Sequence, residues 1–514
     1  MNNIVSALLK QGLSRKNIAK KLNTTEWQVR KITAELRKEK KELNPPKDLL
    51  EGIKHFKPSS KKVKTYIFTS WEIRTDPSEE FIDILKQMQT HYNAELVLVP
   101  VWPEDLKFIP PKLKEFKIVT SDFKINDNLF FKYVPTNALV VSPLTGWKGA
   151  FPESSAIIPG LIKEMVTEPS QRLAKQLMTT GSIGRLNPEL TNYKHIEEAS
   201  ETDQREFHKR WGSVVNRRMG RVYAIAQEYT IPSALVVNVL DNKTFLSRFV
   251  SMPKTGTVYD MNLRFTAGKS NPEIYSPEAL VMGDCHAWQM DTSAWNATIE
   301  MLNHLKPNSL VLNDFTDFIS ANHHEVDDAA VFFNAPTIEQ EIFFTKEKLN
   351  EISCYAKKVY YLGSNHDDFI IKYLKNENNY KYNYNYSICL EIRAAQIRSN
   401  RHPIIKLLEM DKISNLEYID DNANYQIAGV TVIHGHQTIS GRRAGFRALA
   451  QVYNYVIMGH SHVPSVWRNA SMVGTTSKLF MNYNKGVSGW LHCNGLIHND
   501  GSTQLLTMIN GRWK

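Results

Sequence analysis

The sequence predicts an α/β protein with a small all-α module at its N-terminal end. Two observations carry the α/β class. Between residues 280 and 464, a short apolar run ends five times in a turn rich in Asp, Asn or His. Between residues 65 and 270, strand-like and helix-like runs alternate. A third observation, apolar residues at helical spacing before residue 40, sets the N-terminal module apart.

The first module is expected to span residues 1–40. Ile4, Val5, Leu8 and Leu9 form an apolar-periodic segment that Gly12 breaks. Ser14 is a candidate N-cap for a second short helix holding Ile18, Ala19 and Leu22. Asn23 and Thr24 turn the chain. Thr25-Glu26-Trp27-Gln28 has the capping-box pattern that opens a third helix. Val29, Ile32 and Leu36 share one face of that helix, and Arg30, Lys31, Arg37 and Lys38 share the other. This arrangement resembles the helix-turn-helix units of transcription regulators and recombinases. The resemblance implies a third helix in the DNA major groove, with Gln28, Arg30 and Lys31 as DNA contacts. An oligomerisation or docking module is the alternative. Residues 41–64 read as a basic linker, with Pro45-Pro46 and Pro58-Ser59-Ser60 among lysines.

Charge follows the same division. The net charge is +10, yet residues 1–64 hold 17 Lys and Arg against 6 Asp and Glu. The remaining residues hold 46 against 47. A basic segment on a near-neutral body points to a polyanion partner such as nucleic acid, a solvated lysine-rich linker being the plain alternative. The 514 residues exceed one core, so two or three domains are expected. No apolar run is long enough to span a membrane, and no apolar signal core follows Met1. Four scattered cysteines fit a reducing cytoplasm.

Residues 65–270 are expected to form an α/β middle domain of unassigned role. Tyr66–Ser70, Glu95–Val101, Ala138–Ser142, Ala156–Ile158 and Ala234–Leu240 read as strands, and Glu79–His91 as a helix. Gly181-Ser182-Ile183-Gly184 reads as a turn, not a phosphate loop. Arg217, Arg218 and Arg221 could meet phosphate or face solvent.

Residues 271–514 carry the chemistry. The strand-like run Leu280–Met282 leads into Asp284 and His286, and Leu310–Leu312 into Asn313, Asp314 and Asp317. Val359–Leu362 leads into Asn365, His366 and Asp367, and Val430–Ile433 into His434 and His436. Tyr455–Met458 leads through Gly459 into His460 and His462. At a strand's end alternate side chains share one side, so two histidines one residue apart can reach one point. Imidazole is the commonest protein metal ligand, and loops past strand ends are where an α/β sheet places its chemistry.

Asp-x-His, Asp-x-x-Asp, Asn-His-Asp, His-Gly and Gly-His-x-His stand here in that order. This set resembles the calcineurin-like metallophosphoesterase superfamily. The resemblance implies a four-layer sandwich, two β-sheets flanked by helices, over the C-terminal part. It also implies two divalent metal ions, Mn²⁺ foremost with Fe or Zn²⁺ as alternatives. Asp284, His286 and His462 would hold one ion, and Asn365, His434 and His460 the other. Asp314 would bridge them, and His366 would be the general acid. Asp317 or Asp367 would orient a histidine from behind the ligands. Asn313 and Ser364 stand where the family usually has glycine, which alters two turns without removing a ligand.

The function this implies is hydrolysis of phosphodiester bonds by a two-metal mechanism with metal-activated hydroxide. Joined to a basic helix-turn-helix, it points to a cytoplasmic DNA nuclease. Asn-His-Asp and the absence of Arg-Gly after Asp317 are similar to the repair-nuclease branch. A phosphoesterase placed last is similar to phage-encoded proteins that attack host DNA. The alternatives are a small-substrate phosphatase or cyclic-nucleotide phosphodiesterase, and a DNA-binding regulator on an inactive phosphoesterase scaffold. A homo-oligomer is compatible with each. His436, Arg442, Arg443 and the tyrosine tract 380–386 are outlying substrate-contact candidates, each matched by a surface reading. His323 and His324 read as a solvated loop.

Overall fold

The computed structural model describes residues 64–514 apart from 135–142, 188–225, 323–334 and shorter breaks, together with 15–26, 28–29 and 54–55. The strand expected at 138–142, Arg217, Arg218, Arg221, His323 and His324 lie outside the described residues, as do Arg30 and Lys31.

Three large sheets organise the body. The first runs in the order Leu416–Ile419, Val359–Leu362, Ser309–Leu312, Ala279–Val281, Cys493–Ile497, Thr503–Thr507. Its first four strands are parallel, and Cys493–Ile497 and Thr503–Thr507 close it antiparallel. The strands are three to five residues long and rich in leucine, and the parallel ones are apolar but for Ser309 and Glu417. Alternation sorts their side chains. Leu280, Leu310, Leu312 and Tyr361 enter a core under the helices. Ala279, Val281, Val311, Tyr360 and Leu362 enter the core between the sheets. A strand buried on both faces has no polar side, which is why these runs lack polar residues.

The helices that cover this sheet start where the sequence supplies caps. Asp291 accepts from the Ser293 and Ala294 N–H groups ahead of Thr292–Leu305. Thr337 and Gln340 form a capping box ahead of Ile338–Ser353. In the middle region Ser78 caps Glu79–Tyr92, and Asn93 ends it with φ 49°.

The second sheet has ten strands. One end, Gln426–Ile427, Val430–Ile433, Val456–Met458, Ala470–Met472 and Ser465–Trp467, comes from the C-terminal part. The other end, Glu164–Glu168, Lys175–Thr179, Ser155–Ile158, Leu129–Phe131 and Phe123–Asn126, comes from the middle region. The joint is antiparallel pairing of Val466 with Met165 and Trp467 with Glu164. The boundary at 270/271 therefore does not divide the backbone hydrogen bonding. A third sheet, with Thr65–Trp71 between Glu95–Pro100 and Ser233–Val239, contributes Phe68, Val97 and Leu235 to the same central core. Gly181 and Gly184 are packing residues. A Cβ on Gly184 would stand 1.8 Å from the Asp76 carbonyl oxygen.

At the N-terminal end, Arg15–Lys21 is helical, with Ile18 and Ala19 buried. The Thr25 N–H donates to Gln28 Oε1 and the Gln28 N–H to Thr25 Oγ1, both at 3.2 Å, the reciprocal pair of a capping box. Among the described residues no helix is long and apolar enough to cross a membrane.

One buried ion pair ties the third sheet to Thr257–Asp260, a strand of a small three-stranded sheet. Arg248 on Phe245–Ser251 bonds both oxygens of Asp260, at 2.5 and 2.8 Å. Gln504 and Tyr92 donate to the same carboxylate at 3.0 and 2.8 Å. Burial alone would raise the Asp260 pKa, but Arg248 outweighs it and holds the carboxyl below its ordinary value. Arg248→Ala leaves that charge buried without its partner. It is expected to cost about 3–5 kcal/mol, read as a lower urea midpoint.

Candidate metal centre

The five Asp- and His-bearing turns meet at the C-terminal ends of neighbouring strands in the first two sheets. Backbone pairing continues past the strands and fixes the turns against one another. Met282, Cys285, His286 and Ala287 donate in succession to the carbonyls of Val311, Asn313, Asp314 and Phe315 at 2.9–3.1 Å. The Gly459 N–H donates to the His434 carbonyl at 2.9 Å. The Thr476 N–H donates to the Asp284 carbonyl at 2.9 Å, and Thr475 Oγ1 to the same atom at 2.7 Å.

The side chains converge on Asp314. Its Oδ2 lies 3.4 Å from His286 Nε2, 3.7 Å from His434 Nε2 and 3.8 Å from His366 Nε2. Asp284 reaches the same pocket, with Oδ2 3.1 Å from His462 Nε2 and Oδ1 4.0 Å from His434 Nδ1. His286 Nε2 and His462 Nε2 face each other at 3.1 Å. Asn365 Oδ1 stands 2.9 Å from His434 Nε2. The His460 ring packs edge-on against His434, centroids 5.1 Å apart. All seven residues predicted as ligands, and His366, thus lie in one cluster.

The cluster fits a divalent cation. Asp284, His286, Asp314, His434 and His462 are buried. Both Asp284 carboxylate oxygens and Asp314 Oδ1 are buried without a hydrogen-bond partner among the described residues. Buried carboxylate oxygens are rarely left so unless something else satisfies them. His286, Asp314 and His366 can direct one atom each to a common point, and so can Asp284, Asp314 and His434. Oxygen and imidazole donors suit Mn²⁺, Fe or Zn²⁺ over a soft thiophilic ion. Cys285 stays out, buried in the apolar core under the helices as its place between two inward-facing residues requires.

Without a cation the electrostatics are poised for one. Burial pushes the Asp284 carboxyl up to about 7, against the pull of His434. Burial pushes His434 down to about 3, which keeps its imidazole neutral. For His286, burial would lower the pKa, but Asp314 and Asp317 outweigh it and raise it to about 9. Asp314 is buried too, yet His366, His434 and His286 hold it well below the carboxylate range.

The supporting residues are specific. Asp317 lies 3.5 Å from His286 Nδ1, and its carbonyl is 3.0 Å from His366 Nδ1. Asp367 does a different job: it accepts from Thr316 at 2.5 Å, Tyr361 at 2.8 Å and the Ser364 N–H at 3.0 Å. Its N–H donates back to Ser364 Oγ, so the serine in place of glycine closes the turn before Asp367–Leu374. Asn313, the other departure, donates to the Met282 carbonyl at 3.0 Å. His436 sits beside the cluster, 5.2 Å from His434 by ring centroids. Tyr380 is core, Tyr384, Tyr386 and Arg442 are exposed, and Tyr382 lies outside the described residues.

Sequence reasoning passed over Trp490, and it named Gly459 only as the end of a strand, without its role beside Asp284. Trp490 packs its ring on His462 at 4.2 Å. Gly459 lets Asp284 in: a Cβ there would stand 2.2 Å from Asp284 Oδ1. A glycine directly ahead of His-x-His was the available signal for the second.

Residues 278–464 match the calcineurin-like phosphoesterase family model. They form a calcineurin-like phosphoesterase domain. That makes this part of the chain a hydrolase domain for phosphoric ester bonds. Protein A1 of Escherichia phage T5 is 24% identical over 299 residues, covering 53% of this chain and 53% of that protein. The chain thus spans about half the length of that curated relative. A crystal structure of the Pseudomonas putida nuclease MPE aligns at 11% identity with a TM-score of 0.22, covering 49% of this chain and 93% of that one.

Gly459→Ala is expected to push the Asp284 carboxylate aside. Mn²⁺ affinity, measured by calorimetry, should weaken about 10- to 100-fold, the range for loss of a group that orients a ligand.

Proposed function

We propose that this protein is a metal-dependent DNA nuclease. The observation that carries the reading is the cluster of seven Asp, Asn and His side chains around buried Asp314, in a phosphoesterase domain. The basic balance of residues 1–64 favours a polyanionic substrate over a small one. Asp284, His286 and His462 would hold one divalent cation, and Asn365, His434 and His460 a second, with Asp314 serving both. The preferred ion is Mn²⁺. Bound cations would supply Lewis acidity to the phosphoryl oxygens and lower the pKa of water near the site.

The chain's own residues do the rest. Asp314 and Asp284 bring negative charge that offsets the repulsion of two cations. Asp317 aligns His286 through Nδ1 and fixes His366 through its carbonyl. A carbonyl only accepts, so His366 Nδ1 carries hydrogen and donates at 3.0 Å. The donor form is therefore the imidazolium: His366 Nε2, 3.8 Å from Asp314, hands its proton to the leaving alkoxide while Nδ1 keeps its own, and the ring is left neutral. His366 is mostly buried, with 12% of its side chain exposed on the face that would meet the substrate. The helix-turn-helix, with Gln28, Arg30 and Lys31, holds the duplex.

The test offers purified protein with Mn²⁺ plasmid, single-stranded DNA and bis(p-nitrophenyl) phosphate. His366→Ala should lower DNA cleavage about 10²- to 10⁴-fold. The nitrophenyl ester should suffer far less, because its leaving group departs without a proton. Equal losses on both substrates would remove His366 as the acid. Turnover of mononucleotides alone would replace the nuclease with a small-substrate phosphatase. Deleting residues 1–40 should weaken DNA binding and flatten its dependence on salt; an unchanged slope would mean that the basic module does not touch DNA.

A further inference from the structure

Large aromatic side chains stand exposed on the segments that frame the metal centre. Trp288 follows His286 by two residues, in the turn Ala287–Gln289, and is 37% exposed. Phe480 is 64% exposed and lies on a segment laid against that turn. The Lys478 N–H donates to the Gln289 carbonyl at 2.9 Å, and Met290 pairs antiparallel with Ser477. Phe344, from Ile338–Ser353, meets Trp288 edge to face at 5.4 Å, and its neighbour Phe343 is 64% exposed. Exposed rings grouped in this way mark a binding surface more often than chance.

Charge selects the occupant. Lys478 is exposed on the same segment as Phe480, whereas Lys348, 5.9 Å from the Phe344 ring centroid, is already paired with Glu351 at 2.6 Å. Aromatic faces interleaved with lysines suit stacked bases joined by phosphates, and in a duplex those base faces are hidden. We infer that Trp288 and Phe480, with the partly buried Phe344 bracing Trp288, form a stacking platform for unpaired bases, which delivers single-stranded DNA to the metal centre. The inference rests on the nuclease reading and adds strand preference to it. Trp288 sets the register, because its two-residue link to His286 fixes the distance from a stacked base to the cluster.

The experiment uses the full chain. Binding of a fluorescent 20-nucleotide single strand, the same strand with abasic sites, and a blunt duplex is measured by anisotropy in EDTA. Cleavage of the single strand and duplex follows in Mn²⁺. Wild type should bind the single strand at least tenfold more tightly than the abasic one. Trp288→Ala and Phe480→Ala should each erase most of that difference, with Trp288→Tyr restoring it, and duplex affinity should change less than twofold. Equal affinity for intact and abasic strands overturns the platform and leaves the nuclease standing, provided wild type cleaves DNA. Hydrolysis of bis(p-nitrophenyl) phosphate with no cleavage of any DNA overturns the nuclease and the platform together. A change in sedimentation in Trp288→Ala, with unchanged single-strand affinity, makes the rim a protein contact and also overturns the proposal.

Discussion

The site depends on one carboxylate. Asp314 is buried with three imidazoles within 3.8 Å of its Oδ2. A lone carboxylate at that depth would be forced to take a proton, but the surrounding histidines hold it ionised. The arrangement is costly for a protein without a cation. Asp284 is driven toward neutrality while Asp314 is held charged, and neither is fully satisfied by hydrogen bonds. Such a cluster costs folding free energy, and a bound cation would offset it by satisfying buried carboxylate oxygens.

Four backbone positions of the site are themselves strained. His286, Asp314, His460 and His462 have φ of 45°, 43°, 75° and 60°, the left-handed region that side chains enter reluctantly. Strain of that kind, about 1–3 kcal/mol each, persists where the surroundings hold it, and here the paired turns do so. The ladder from Met282 to Ala287 along Val311 to Phe315 grips the first two turns. Gly459 and Gly435, the latter at φ 104°, give the last two room to close.

Much of this was legible in the residues because strand period and ligand chemistry coincide. Strands buried on both faces read as uninterrupted apolar runs, so the turn that ends each one was visible without a partner in view. The side chains in those turns are Asp, Asn and His, whose chemistry narrows what they can do together. What could not be read was long-range. Nothing local in Val466 or Met165 says that they pair, and the sheet shared by the middle and C-terminal parts rests on that register. Trp490 on His462, and Thr475 and Thr476 against Asp284, belong to a return of the chain that carries no periodic signal. Asp367 could be placed near the site but not assigned its partners, because Thr316 lies 51 residues away in sequence.

The joint between Ser465–Trp467 and Glu164–Glu168 bears on how the chain can be divided. A fragment beginning after residue 270 would keep every Asp and His of the cluster and still lose half of the ten-stranded sheet. The Ser465–Trp467 backbone would then become a bare edge three residues past His462, inviting intermolecular strand addition. The same cut would strand Arg447, whose guanidinium reaches Glu164 at 2.5 Å. The middle region is thus the flank on which the last histidine turn is built, and soluble catalytic fragments should be sought by trimming the N-terminal module instead.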